Sequence, residues 1–350
     1  MIRCAAVAVV LAGFASGCAS APPEALATVS DGRYVMGTIL EITLVGRDER
    51  DLRAALDELF DLAARLDHRL TIYDPDSDLS LLNRGAGRGP QAVDPEVAEI
   101  LRLALDYARL TRGSFDVTVG PLVALWTQAA ERDAPPAPGA LARARSRVGP
   151  DVLRTHEDGT VELTQAGSSV NLGGIAKGYA LDRMLPRLHA RGIHRALLNF
   201  GQSSTWAFGA PPGSEGWRLL IRGPGEGFLG VIRLRDRALS VSGSLGQWVE
   251  IGGRRYGHVL DPRSGQPLTQ RRQALVVAPD ATRAEALSKA LLILGEEEGV
   301  ALVGAQPGCE GLLIDAAGGR WMTPGWSEAV AFEPRFESPP TGRGREPGAD

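Results

Sequence analysis

Residues 170–182, Val-Asn-Leu-Gly-Gly-Ile-Ala-Lys-Gly-Tyr-Ala-Leu-Asp, constrain this chain more than any other stretch. A short polar-apolar run meets a glycine pair, and a helical pattern follows at once. Gly173 and Gly174 carry no Cβ, so a second molecule can approach the backbone there. A helix that begins at this point aims free N–H groups and the positive end of its dipole back at the gap. Lys177 adds a full positive charge in the first turn. Such geometry suits phosphate or pyrophosphate. The same residues also make a plain loop-to-helix joint, so the stretch predicts a turn into a helix and leaves the ligand open.

Around it the chain alternates between strand and helix patterns. Residues 34–45 read as a strand broken at Met36-Gly37-Thr38. Residues 51–70 place Leu52, Leu56, Leu59, Leu62, Ala63 and Leu66 at helical spacing. Residues 73–78 are turn chemistry before a short helix through Leu82. Asp94-Pro95-Glu96 opens a helix through Thr111, with Pro in its first turn. A Pro-rich loop, 134–139, precedes a basic helix from Ala140. Residues 161–163, 196–200, 217–221, 230–234, 238–242, 248–251 and 275–278 are predicted strands, 254–258 returns as a hairpin, and 282–294 is a helix. Runs of successive strands mixed with helices favour α+β over a doubly wound parallel sheet.

Apolar residues make up 44% of the chain and the formal net charge is −4, which supports a packed core and gives no basic stripe for nucleic acid. The first 18 residues read as a signal: one early Arg, an apolar run from Cys4 to Ala15 too short to span a bilayer, then Ala15-Ser16-Gly17-Cys18. Small residues ending at Cys resemble the bacterial lipoprotein processing site, where Cys18 is acylated. An ordinary secretory cut is the alternative, and both export the protein. The predicted location is the periplasmic side of a bacterial membrane, with residues 19–30 as a tether, 31–332 as the folded domain and 333–350 as a disordered tail. Cys309 is then left without a disulfide partner. The five histidines show no metal-ligand spacing.

With these segments in order, the chain resembles the ApbE flavin transferase family of bacterial exported lipoproteins. The matching motifs are Met36-Gly37-Thr38, Tyr73 to Asn83, Phe115-Asp116-Val117-Thr118-Val119-Gly120-Pro121-Leu122, Asn171 to Asp182, Ser242-Gly243-Ser244 and His258 to Gly265. The resemblance implies an α+β fold of mixed or antiparallel sheets packed by helices, with FAD between two interlocked lobes. It implies FAD as substrate, Mg²⁺ at the pyrophosphate, and an acceptor protein whose threonine receives FMN as AMP leaves. Hydrolysis of FAD to FMN and AMP, and noncatalytic flavin carriage, are the alternative activities.

The resemblance also assigns residues. Met36, Tyr73, Ser114, Phe115, Asp116, Asn171, Lys177 and Val259 fall at cofactor-contacting places. His258 is the candidate general base, because imidazole titrates near working pH and a threonine hydroxyl needs its proton accepted. Asp261 is placed to orient it or to contact the ligand. His68, His156, His189 and His194 lack a partner motif and read as structural. The family's metal contacts fall at Gly174, through its carbonyl, and at two positions four apart that carry Asp and Thr in relatives. Here those positions are Glu285 and Lys289. Glutamate is still a hard oxygen ligand, but an ammonium has no acceptor and repels Mg²⁺. Glu285 and Lys289 are spaced for a helix salt bridge, Lys289 can set its ammonium where the ion would sit, and both can hold at once. Two further departures are Gln202, where relatives have a second glycine, and Leu245-Gly246-Gln247 in place of Tyr-Glu-Arg.

Overall fold

The structure, a computed structural model, describes residues 26–334 apart from residue 226. The signal sequence, Cys18, the first part of the tether and the tail beyond Pro334 lie outside the described residues.

A hairpin of β1 (Ala27–Val35) and β2 (Thr38–Gly46) leads into α1 (Glu49–Leu70), α2 (Asp78–Arg84), α3 (Pro95–Leu110), α4 (Gly120–Glu131) and α5 (Pro138–Arg145). The short strands β3 (Leu153–Thr155) and β4 (Val161–Leu163) precede α6 (Ala176–Ala190). Then come β5 (Ala196–Phe200), β6 (Ser204–Phe208), β7 (Trp217–Arg222), β8 (Phe228–Leu234), β9 (Arg237–Gly243), β10 (Trp248–Ile251), β11 (Arg254–Gly257), β12 (Leu260–Asp261) and β13 (Gln266–Pro267). The chain closes with β14 (Arg272–Ala278), α7 (Ala281–Leu294), α8 (Glu298–Gly304), β15 (Glu310–Asp315), β16 (Arg320–Met322), α9 (Trp326–Ala329) and β17 (Ala331–Pro334).

One eight-stranded sheet, ordered β1-β2-β5-β6-β9-β14-β15-β16, organises the molecule, and each neighbouring pair is antiparallel. The architecture is α+β. Both faces of the sheet are covered, which β14 makes plain. Ala274, Val276 and Ala278 point into the main core beneath α1, α6 and α7. Leu275 and Val277, between them, join Trp217, Ile221, Ile232 and Leu234 of the smaller sheet β17-β8-β7 on the opposite face. A strand buried on both sides loses the polar alternation of a half-exposed one, and Leu275 to Ala278 reads as a continuous apolar run for that reason. A third apolar cluster joins α4 and α5 to the β10–β11 hairpin through Leu122, Trp126, Ile251 and Leu260.

Several boundaries differ from the sequence reading. Residues 34–45 are not one interrupted strand but the turn of the β1–β2 hairpin and the strand that follows. Met36 and Gly37 both take left-handed φ, 51° and 74°, as a two-residue hairpin turn requires. The Met36 N–H is tied to Asp67 of α1 at 2.9 Å. β1 starts at Ala27, within the stretch read as tether, and β17 continues to Pro334, within the stretch read as tail. β1 escaped notice because most of its residues are exposed and polar. Gly120-Pro121-Leu122, the end of the motif at 115–122, begin α4.

Candidate functional site

The glycine-pair motif enters α6 at Ala176, and its backbone differs from the free N-terminus expected. The Gly173 N–H donates to Asn171 Oδ1 at 2.9 Å, and the N–H groups of Ile175 and Ala176 both donate to the Leu172 carbonyl at 2.9 Å. The turn's own donors are thus largely spent on holding its shape. Neither Gly173 nor Gly174 has a left-handed φ. Their value is space: a Cβ on Gly174 would lie 3.4 Å from Phe115 Cε2 and 3.7 Å from Lys289 Cε, inside an open cleft. Cationic side chains, more than backbone N–H groups, therefore dominate the electrostatics.

That cleft has a volume of about 670 Å³ and lies where the main core meets the α4–α5 and β10–β11 unit. The structure brings eleven of the sequence-predicted residues to it. Met36 and Tyr73 stand at one end, and Ser114, Phe115 and Asp116 follow from the loop before α4. Asn171, Gly174 and Lys177 line it from the motif, His258 and Val259 from the loop after β11, and Lys289 from α7. Tyr73 is 90% exposed, so its ring is free to cover a ligand at the mouth. Ser114 is fully buried and donates its hydroxyl to the Thr111 carbonyl at 2.9 Å, which makes it a support for the loop. Asp116 Oδ1 accepts from the Thr118 N–H at 2.8 Å and from its hydroxyl at 2.6 Å; burial nonetheless raises this carboxyl above the ordinary aspartate value.

His258 is held from both sides of one carbonyl. Its N–H donates to the Gln247 oxygen at 3.1 Å, and its ring Nδ1 lies 3.1 Å from the same oxygen. A carbonyl can only accept, so Nδ1 carries the proton and Nε2 of the neutral ring keeps its lone pair. Burial lowers the His258 pKa, and the charges of Lys289 and Lys177 lower it further, against the Gln247 hydrogen bond. The ring is a neutral base at pH 7.

Asp261 does not orient it. Its Oδ1 accepts from Arg263 N and Nε, both at 3.0 Å, and its Oδ2 from the same guanidinium at 3.2 Å. These bonds build the β12–β13 turn. The orienting part belongs to Gln247, a backbone group that no side-chain pattern announces. The other histidines serve elsewhere: His68 pairs with Asp74 at 3.0 Å, His156 faces Glu162 at 3.6 Å, and His189 packs edge-on against Phe208 at 4.7 Å.

Lys289 and Glu285 overturn the salt-bridge expectation. Among the described residues neither Lys177 nor Lys289 forms an ion pair or hydrogen bond. Glu285 is fully buried, does not line the cleft, and takes the Ser204 hydroxyl on Oε1, while its Oε2 has no partner. Its charge still favours the ammonium form of Lys289, but burial wins and lowers that pKa to about 8. Ser288, one turn from Glu285, is closed off by Ser240 at 2.9 Å and Ser242 at 2.8 Å.

This donor set does not fit Mg²⁺. One family position is a lysine, another is a carboxylate turned away toward Ser204, and no group of three His, Cys, Asp or Glu residues able to hold a metal occurs among the described residues.

Comparison with known proteins agrees with the fold. The model of the ApbE family matches residues 36–313. A Treponema pallidum protein named FAD:protein FMN transferase is 33% identical over 307 residues, covering 81% of this chain and 84% of its own length. A Klebsiella pneumoniae protein of the same name is 30% identical over 330 residues, covering 90% and 93%. The solved structure of the flavin transferase ApbE from Vibrio cholerae superposes with a TM-score of 0.77 at 26% identity, covering 87% of this chain and 99% of that one.

Proposed function

This chain belongs to the ApbE family, and we propose that it works as an FAD:protein FMN transferase. FAD enters the cleft, its diphosphate is broken, and FMN passes to a threonine hydroxyl of an acceptor protein. The observation that carries the reading is the meeting of a neutral, oriented imidazole with two ammonium groups that form no ion pair among the described residues, in a cleft able to take a dinucleotide.

The chemistry follows from those groups. The threonine oxygen forms a bond to the flavin-side phosphorus as the bond from that phosphorus to the bridging oxygen breaks. The hydroxyl proton goes to His258 Nε2, and the Gln247 carbonyl stabilises the imidazolium through Nδ1–H. The bridging oxygen leaves with AMP. Charge on the nonbridging and leaving oxygens is offset by Lys177 and Lys289. Phe115, Met36 and Tyr73 offer apolar and aromatic faces to flat rings.

We further propose that the enzyme is exported and held at a membrane by acyl chains on Cys18, with its acceptor among exported or membrane proteins. The support is the apolar run and the Ala-Ser-Gly-Cys sequence. Loss of labelled fatty acid from a Cys18→Ala variant is the expected result.

The activity is tested by incubating the purified chain with FAD and a threonine-containing acceptor peptide. One FMN added to the peptide for each AMP released is expected. Free FMN and AMP with an unmodified peptide would instead mean hydrolysis, and intact FAD in the presence of a competent acceptor would defeat the assignment. A His258→Ala variant that transferred at the wild-type rate would remove the proposed base.

A further inference from the structure

We propose that the ammonium of Lys289, working with that of Lys177, takes the part of a divalent cation, so that this enzyme binds the diphosphate without metal. The proposal rests on the reading of the cleft as a dinucleotide site. Of the 38 Lys and Arg residues in the chain only two are lysines, Lys177 and Lys289, and both line this one cleft. Every other cationic position is arginine. The two kinds of cation differ where it matters here. A guanidinium is a flat fork that spreads its charge, whereas an ammonium is a compact point charge with three rotatable donors. Of the two, the ammonium is nearer in size and charge density to a bound metal ion.

The placement fits that substitution. Lys289 rises from α7 with its stem packed beside Gly174, and Lys177 rises from the first turn of α6. They are close enough that the charge of Lys177 disfavours that of Lys289. Two like charges without ion pairs, beside a buried wall, are unfavourable in the empty protein. A diphosphate supplies the missing negative charge. Glu285, one turn back on α7, keeps a carboxylate behind Lys289 without taking its donors. The oxygen donors that would serve a metal are meanwhile engaged elsewhere or absent, as the Glu285–Ser204 and Ser288–Ser240 contacts attest.

The scarcity of lysine makes the test direct. The full chain is treated with formaldehyde and cyanoborohydride, and methylation at Lys177 and Lys289 is mapped by mass spectrometry. It is done with and without FAD, in EDTA and in Mg²⁺. FAD in EDTA is expected to slow methylation of Lys289 at least about tenfold, and riboflavin, which has no phosphate, to leave it unchanged. In parallel, the FAD dissociation constant is expected to agree within about twofold between EDTA and Mg²⁺. In Lys289→Met it should rise about ten- to a hundredfold, the size of a lost charge-assisted bond, while riboflavin affinity is kept. Protection or tight binding that appears only with Mg²⁺ would overturn the lysine assignment and leave the flavin site standing. Absence of FAD binding under both conditions would overturn the dinucleotide reading and this inference with it.

Discussion

Asp182 of α6 holds Thr282 of α7 by two bonds to one oxygen, 2.8 Å from the Thr282 N–H and 2.5 Å from its hydroxyl. Its other oxygen accepts from the Ala281 N–H at 2.8 Å and from Trp206 Nε1 at 3.1 Å. A side chain from one helix thus caps the first turn of another, where an acceptor is wanted by the orphan N–H groups and the dipole. The pair fixes the spacing of α6 and α7, and so of Lys177 and Lys289. Burial pushes the Asp182 carboxyl up to about 6 despite four donors, so it is ionised at pH 7.

Asp182→Asn keeps the shape but replaces one acceptor oxygen with a donor, which then faces groups that also donate. At pH 7 the variant is expected to lose about 1–3 kcal/mol of stability in urea unfolding, and to bind FAD more weakly as the two lysines lose their register. An unchanged midpoint would mean that the cap does not hold the helices together.

Gly178 lies at the closest approach of the same helices. A Cβ there would stand 2.4 Å from the Ala281 carbonyl oxygen, a backbone atom that can move only with its helix. Gly178→Ala is expected to cost about 1–3 kcal/mol as an overpacked contact, although alanine favours helix by about 1 kcal/mol. Gly174→Ala, whose nearest neighbour would be 3.4 Å away, should fold normally. Comparison of the two unfolding midpoints checks the assignment.

These relationships separate what the sequence disclosed from what it hid. The α+β class was legible because apolar periodicity and turn residues mark elements locally, as in α1 and α3, whose predicted Asp-Pro-Glu start is capped by Asp94. The cleft was legible through motif residues that the fold gathers from six distant segments. Asp182 stands at the end of its motif, yet nothing local reveals that it caps a helix a hundred residues on. The part of Gln247 is hidden in the sequence, because it is played by a carbonyl that every residue possesses. Glu285 and Lys289 have the i,i+4 spacing of a helix pair, but tertiary packing sends one to Ser204 and the other to the cleft.

Gln202 shows a local departure carried at some expense. It takes φ 63°, the left-handed region that glycine occupies freely, beside Gly201 at φ 51°. Left-handed backbone costs a side-chain-bearing residue about 1–2 kcal/mol, while glycine's greater freedom in the unfolded chain returns about 0.5–1 kcal/mol. Gln202→Gly is therefore expected to stabilise by up to about 1.5 kcal/mol, seen as a higher urea midpoint. Destabilisation would mean that the exposed glutamine makes up its backbone strain elsewhere.

The pH dependence of transfer follows from two groups in the same cleft whose pKa values are both displaced downward. His258 works as the neutral ring, and its pKa is below the usual histidine value, so activity should fall only as pH drops under about 6.5. Lys289 works as the ammonium, with a pKa near 8 in the free protein, so kcat/KM should fall again as pH rises through about 8. Bound diphosphate favours the charged lysine, which raises its pKa in the complex and moves the alkaline limb of kcat upward relative to that of kcat/KM. The charge of Glu285 sustains the Lys289 ammonium, so Glu285→Gln should shift the alkaline limb of kcat/KM to lower pH and leave the acid limb in place. Steady-state rates from pH 5 to 10 in EDTA, measured on the wild type, Glu285→Gln and Lys289→Met, decide it. An alkaline limb that persisted unchanged in Lys289→Met would assign it to a group other than this lysine.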